Sequence, residues 1–183
     1  MIDMTPEEIR EARSQWFTPK EIREAVHQVW GDNFTDYATT WENPMGASAG
    51  VTDLEAYLSK RGRFTRNDTV FLNPPYSRPH WFMQKALEYG GREQLHVYKI
   101  GVLSNKKTTR VLQQFPPRLV MPWRGRLEFD MGPELSRYRR ESGIPQKGGN
   151  NFDVVLIYWG ALYCDEFREA FDGKVSDFYT PYT

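Results

Sequence analysis

The chain has one cysteine, Cys164, in 183 residues. No internal disulfide can form, which excludes a disulfide-stapled scaffold and fits a reducing compartment. No apolar run approaches the ~20 residues of a membrane helix, and the N-terminus lacks a signal-peptide pattern. The three histidines, His27, His80 and His96, are scattered without ligand spacing. They are read as structural, and no metal site is expected. Net charge is also lacking, since 24 basic residues balance 24 acidic ones. No global field draws the chain to nucleic acid, so any basic surface must be local. There is no internal repeat. These absences leave an expectation of one soluble, cytoplasmic domain over residues 1–183, long enough for a proper core.

What the chain does have is a pronounced junction. Thr69-Val70-Phe71-Leu72 runs directly into Asn73-Pro74-Pro75-Tyr76. An apolar run halted by two prolines reads as a buried strand that ends abruptly. Residues just past the carboxyl end of such a strand are where open α/β sheets bind ligands. The Asn73 side-chain carbonyl and the backbone carbonyl of Pro74 are two acceptors whose relative position the prolines restrict. Two convergent acceptors suit an exocyclic amino group, and the Tyr76 ring offers a face for stacking on an aromatic base. The bland reading is a Pro-rich turn after a strand. Aromatic content of 15%, with six Trp, suits stacking surfaces but is first of all a core property.

Thr5-Pro6-Glu7-Glu8 opens a predicted first helix running to about Ser14. Thr18-Pro19 repeats the start signal for a second, with Ile22, Val26 and Val29 at helical spacing and Gly31 at its end. Phe34–Ala38 reads as a short strand with the acid Asp36 at or near its end. A loop of little bulk follows, from Thr39 to Gly50. An acid and small residues past a strand suit a nucleoside-type cofactor, although Gly46 and Gly50 make no dinucleotide fingerprint. Asp53–Lys60 reads as helix, and Lys60–Arg63 as its solvated end. A helix begins at Ser77-Arg78-Pro79 and stops at Gly90-Gly91. A strand over Leu95–Leu103 completes a βαβ unit and a parallel sheet.

Lys106, Lys107 and Arg110 lie at a strand-to-helix junction able to hold phosphate, though a solvated charge run has the same pattern. Strands are expected at Leu119–Met121 and Arg124–Phe129. Residues 130–151 are expected to form a long basic loop carrying Arg137, Arg139, Arg140 and Lys147. Phe152–Trp159 is the strongest strand, and Asp165–Phe171 a last helix.

Asn73-Pro74-Pro75-Tyr76 after a hydrophobic strand resembles the motif of S-adenosylmethionine-dependent amino-methyltransferases, which act on adenine N6 or, in related families, on cytosine N4, guanine N2 or protein glutamine. Taken with Trp16-Phe17-Thr18-Pro19, with Asp36-Tyr37-Ala38-Thr39 and Asn43, and with Gly125-Arg126-Leu127-x-Phe129, the order of elements resembles the small phage and prophage DNA N6-adenine methyltransferases of the Dam type. The similarity is scattered over residues 16–160, and only the Asn73–Tyr76 motif is individually specific. Tyr37 and Thr39 depart from the family's Asp-x-Ala-Ala pattern.

The resemblance implies a Rossmann-like methyltransferase fold with a mostly parallel sheet and helices on both faces. It implies S-adenosylmethionine bordered by Trp16, Thr18, Pro19, Asp36, Ala38 and Asn73. It further implies Asn73, Pro74, Pro75 and Tyr76 as catalytic residues around an adenine flipped from double-stranded DNA, with no metal and no membrane partner. A local DNA stripe would use Lys106, Lys107, Arg110, Arg124, Arg126, Arg137, Arg139 and Arg140. A phage-encoded chain would work in the host cytoplasm. Two alternatives stay open: another amine acceptor, such as an RNA base or protein glutamine, and a non-catalytic nucleic-acid-binding protein on the same fold.

Overall fold

The computed structural model describes residue 5 and residues 16–39, 43–59, 69–75, 77–131, 133–143 and 150–176. The helix expected over 5–14, the Lys60–Arg63 end and the Tyr76 ring lie outside the described residues.

The chain runs through β1 (Trp16–Phe17), α1 (Lys20–Trp30), β2 (Thr35–Asp36), β3 (Ala49–Gly50), α2 (Leu54–Ser59) and β4 (Thr69–Leu72). It continues through α3 (Pro79–Tyr89), β5 (Glu93–Lys99), a 3₁₀ turn (Ile100–Ser104) and α4 (Lys106–Gln114). The last elements are β6 (Leu119–Met131), α5 (Pro133–Glu141), β7 (Asn150–Trp159) and α6 (Cys164–Ala170). Local signals explain the two longest helices. Gly31 closes α1 at φ 57°, a conformation in which a side chain is strained, and Pro79 opens α3 where its missing N–H costs nothing.

The strands form one seven-stranded sheet in the order β1-β6-β7-β5-β4-β2-β3. The pairs β3–β2, β2–β4 and β4–β5 are parallel, whereas β5–β7, β7–β6 and β6–β1 are antiparallel. Parallel pairing is thus confined to one half. β7 returns beside β6 without a crossover to the next position, so it enters the sheet in the opposite sense. The arrangement is a Rossmann-like α/β fold with helices on both faces.

Side-chain alternation sets the layers. Val154, Leu156 and Tyr158 of β7 point with Phe71 and Leu95 toward α1 and α6. Val155, Ile157 and Trp159 point with Tyr98 toward α3 and α4. Tyr37, Leu58, Val70, Leu72 and Phe82 bury the third apolar cluster, between α2, α3 and the parallel strands. A ring such as Phe71, fully buried, contributes about 2–3 kcal/mol by leaving water.

Several expectations need correction. The Phe34–Ala38 strand shrinks to Thr35–Asp36, with Tyr37 and Ala38 in a turn. The strand after α3 stops at Lys99, where the 3₁₀ turn begins. The two strands expected between Leu119 and Phe129 are one, β6, broken only by a register shift between Pro122 and Arg126. Within the long basic loop expected over 130–151, Asp130 and Met131 end β6, Pro133–Glu141 form α5, Asn150 and Asn151 begin β7, and residues 144–149 lie outside the described residues. Asp130 and Met131 extend β6 because Phe17 and Trp16 pair with them. α5 forms because Pro133 suits a first turn, Arg139 and Arg140 sit at its negative end, and Arg137 reaches Glu141 at 3.2 Å.

One face of β5 is polar yet closed. Gln94 donates through Nε2 to the carbonyls of Ala86 (3.0 Å) and Gly91 (2.7 Å), so its Oε1 accepts from His96 Nε2 at 2.9 Å. His96 Nδ1 then accepts from the Tyr98 hydroxyl at 3.0 Å. Neutral imidazole satisfies every partner, and burial pushes the His96 pKa down to about 3. As pH falls from about 6.5 toward 3, the unfolded chain takes up a proton that the folded chain refuses, and stability is lost across that window. The expected slope from this residue is up to about 1.4 kcal/mol per pH unit. Denaturant unfolding of wild type and His96→Gln at pH 7.5, 5.5 and 4.5 checks it: the variant's pH dependence should be the flatter.

Candidate active site

β2 and β4 are parallel neighbours in register Asp36 with Phe71, and the Tyr37 amide extends the pairing by donating to the Phe71 carbonyl at 3.0 Å. After β2 the chain moves outward to β3, and after β4 it crosses through α3 to β5 on the other side. Between two such strands the connections part and leave a crevice at the carboxyl edge. Asp36 and Asn73 lie at its two sides.

Asn73 follows the last residue of β4 and is half-buried, Pro74 is buried and Pro75 is exposed. The Asn73 Nδ2 donates to Thr18 Oγ1 at 3.2 Å, across 55 residues of sequence. That bond sets the rotamer of the amide and turns Oδ1 to the side away from Thr18. Thr18 therefore has a different role from the helix cap its sequence suggests: α1 carries no side-chain cap bond, and Pro19 occupies the cap position.

The sheet itself carries Thr18 there. β5 ends at Lys99, paired with Val154, whereas β7 continues outward through Asp153 to Asn150 and stays paired with β6 from Arg126 to Phe129. The β6–β7 pair thus overhangs the carboxyl edge, and β1 is bonded to its outermost residues. Leu127 and Phe129 are buried and hold the overhang down, with Phe129 edge-on to Phe152 at 5.5 Å. Lys99 Nζ sits 3.8 Å from the centre of the Phe152 ring. The Gly125–Phe129 element thus carries β1, and with it Thr18, to the carboxyl edge. Of Trp16 only the backbone is described.

Asp36 is 3% exposed and its Oδ1 accepts from the Ala38 amide at 3.1 Å, with a further side-chain hydrogen bond from Thr39. Burial outweighs these bonds and pushes its pKa up to about 6. The two departures from the family pattern are accommodated locally. Tyr37 is fully buried, edge-on to Tyr57 at 5.4 Å. Thr39 lies over Gly50, where a Cβ would come within 2.5 Å of the Thr39 methyl. A side chain at position 50 would require Thr39 to move. Asn43 is structural: at φ 45° it donates to the Ala47 carbonyl (2.9 Å) and accepts from its amide (3.2 Å).

The expected basic stripe is distributed over three elements at or beyond the level of Lys99. Lys106, Lys107 and Arg110 are exposed on α4, and Arg124 and Arg126 are exposed at the irregular stretch of β6. Arg126 lies 3.8 Å from Asp153. Arg137, Arg139 and Arg140 belong to α5. Residues that the sequence did not single out also stand at this edge, namely Lys99, Phe152 and Arg78. Among the described residues no His, Cys, Asp or Glu cluster could hold a metal ion, and no helix is long and apolar enough to cross a membrane.

Asp36 acts on stability with the sign opposite to His96. Its folded-state pKa lies above 3.8, so the folded chain binds the extra proton between about pH 4 and 6. Stability is consequently lost as pH rises through that window. Asp36→Asn should remove this loss, and its melting temperature relative to wild type should be higher at pH 8 than at pH 4.5. An unchanged difference would mean the carboxyl ionises as freely in the fold as outside it.

Residues 5–136 match the family described as DNA N-6-adenine-methyltransferase (Dam). A DNA N-6-adenine-methyltransferase of Escherichia phage T1 is 34% identical over 84 residues, which are 46% of this chain and 33% of that protein. The aligned part is therefore about a third of the curated relative's length. With the family match covering well over half of the chain, the protein belongs to the DNA N-6-adenine-methyltransferase (Dam) family.

Proposed function

We propose that the chain transfers a methyl group from S-adenosylmethionine to the exocyclic N6 amine of adenine in double-stranded DNA. The observation that carries this reading is the Asn73 amide, held by Thr18 at the switch crevice opposite a buried carboxylate. The chemistry of Asp36 supports this cofactor. A desolvated Asp36 whose ionised form lacks sufficient compensation is suited to a ligand that brings hydroxyl donors or positive charge, as a ribose or an amino-acid end does. Asp36 and Ala38 would hold that part, with Trp16, Thr18 and Pro19 bordering it. S-adenosylmethionine supplies a sulfonium methyl, electrophilic enough that positioning accounts for most of the catalysis.

The chain's own residues then deal with the base. Adenine inside a duplex cannot present N6 to a crevice, so the target nucleotide is flipped out, as enzymes acting on bases generally require. Asn73 Oδ1 and the Pro74 carbonyl accept the two N6 hydrogens and draw the nitrogen lone pair out of conjugation with the ring. Pro74 and Pro75 keep the two acceptors in fixed relation, and Tyr76 stacks on the base. The cations of α4, β6 and α5 meet backbone phosphates. The overhanging β6–β7 pair and α5 would then flank the duplex.

Transfer of labelled methyl from S-adenosylmethionine to unmethylated duplex DNA tests the reading. The label should be recovered as N6-methyladenine, and Asn73→Ala should abolish it. Thr18→Val should lower kcat about fivefold with little change in DNA KM. The lost hydrogen bond, about 1 kcal/mol, loosens an amide whose orientation matters most in the transition state. Asp36→Asn should weaken cofactor binding in a direct titration. Cofactor binding without label in DNA would point to another amine acceptor, and absence of both would end the enzyme reading.

A further inference from the structure

The three histidines differ in the structure. His27 contacts the Met45 carbonyl at 2.6 Å and Asp32 at 3.0 Å, and His96 is locked into the β5 network. His80 has neither kind of support. It is partly exposed in the first turn of α3, and among the described residues its ring makes no hydrogen bond. The charges that act on it are both cationic, Lys107 from α4 and Arg78 from the approach to α3.

Topology explains the meeting. β4 and β5 are parallel neighbours, so the helices that follow them begin at the same edge, and α3 packs on α4. Arg78 is preorganised, its guanidinium bonded to Glu55 of α2 and 5.1 Å from the Trp81 ring. Lys106 and Arg110 add exposed charge on α4. Glu55 is the acid bonded to this group, and it is engaged with Arg78. Asn105 caps α4 by accepting from the Lys107 amide at 2.8 Å, whereas no side chain caps α3.

We propose that Arg78, His80 and Lys107 form a phosphate-binding site that grips the DNA backbone beside the Asn73 crevice. The inference rests on the DNA reading above and adds Arg78 and His80 to it. Lys107 and Arg78, from two helix starts, both disfavour a proton on His80, and a phosphodiester beside them would offset that effect. The site lies a few residues past the motif that would hold the flipped base. A grip there would fix a neighbouring phosphate while the nucleotide swings out.

Proton uptake gives the site a signature. Burial, Lys107 and Arg78 all hold His80 below its ordinary range in the free protein. A bound phosphate acts in the opposite direction, so DNA binding is coupled to protonation between the free and bound pKa values. Duplex binding by the full chain, measured at constant ionic strength from pH 8 to 5, should tighten as pH falls. One proton limits that dependence to about tenfold per pH unit. His80→Gln should flatten the profile, and Lys107→Gln should lower the salt-dependence slope by about one. Cofactor titration and thermal melting of both variants serve as controls for folding. An unchanged pH profile in His80→Gln together with an unchanged salt slope in Lys107→Gln would overturn the phosphate site, while methyl transfer to DNA by wild type would still stand. If the wild-type chain bound no duplex at any pH, the DNA reading itself would fall, and the site with it.

Discussion

Parallel pairing of β2 with β4 is the constraint on which the rest depends. It brings the ends of two strands, far apart in sequence, to one edge of the sheet and sends their continuations in opposite directions. The crevice is a consequence of that divergence. Asp36 stands on one side and Asn73 on the other because each is the residue at or just past the point where its strand stops. The prolines after Asn73 make that stop abrupt, so the amide is presented at the edge rather than carried on into the ladder.

A second constraint comes from the opposite half of the sheet. β6 and β7 outrun β5, and β1 attaches to their far end. The same overhang that brings Thr18 to Asn73 also sets α5 and its arginines beyond the carboxyl edge. Orientation of the proposed acceptor and placement of the β6 and α5 cations thus follow from one antiparallel extension. The apolar residues Leu127, Phe129 and Phe152 hold that extension against the core.

Buried polar groups in this chain fall into two kinds. His96 is enclosed by partners that match its neutral form, and protonation would break a satisfied network. Asp36 accepts hydrogen bonds from Ala38 and Thr39, yet desolvation still dominates. The first arrangement stabilises the fold on its own. The second is left with an electrostatic deficit, as suits a group whose full complement includes a ligand.

How much of this could be read from the residues depends on how local each signal is. The Val70–Leu72 run and its diproline, the Gly31 stop and the Pro79 start act within a few positions, and their elements stand as expected. The Asn-Pro-Pro-Tyr motif was legible for the same reason. β6 was not, because the residues that make it one strand are its partners in β1 and β7. α5 is short and polar with weak apolar periodicity, so its Gly and Ser neighbours suggested a loop, although Pro133 and the terminal arginines were available as helix signals. Thr18 illustrates the limit most clearly. Its local context is that of a helix start, and its hydrogen-bond partner lies 55 residues away. Sequence alone determined the chemical inventory, an amide beside fixed carbonyls, an acid at a strand end and scattered cations, because those are properties of residues and their immediate neighbours. Which of them face one another was decided only by strand pairing and burial, since the energies that select those partners are summed over the whole sheet.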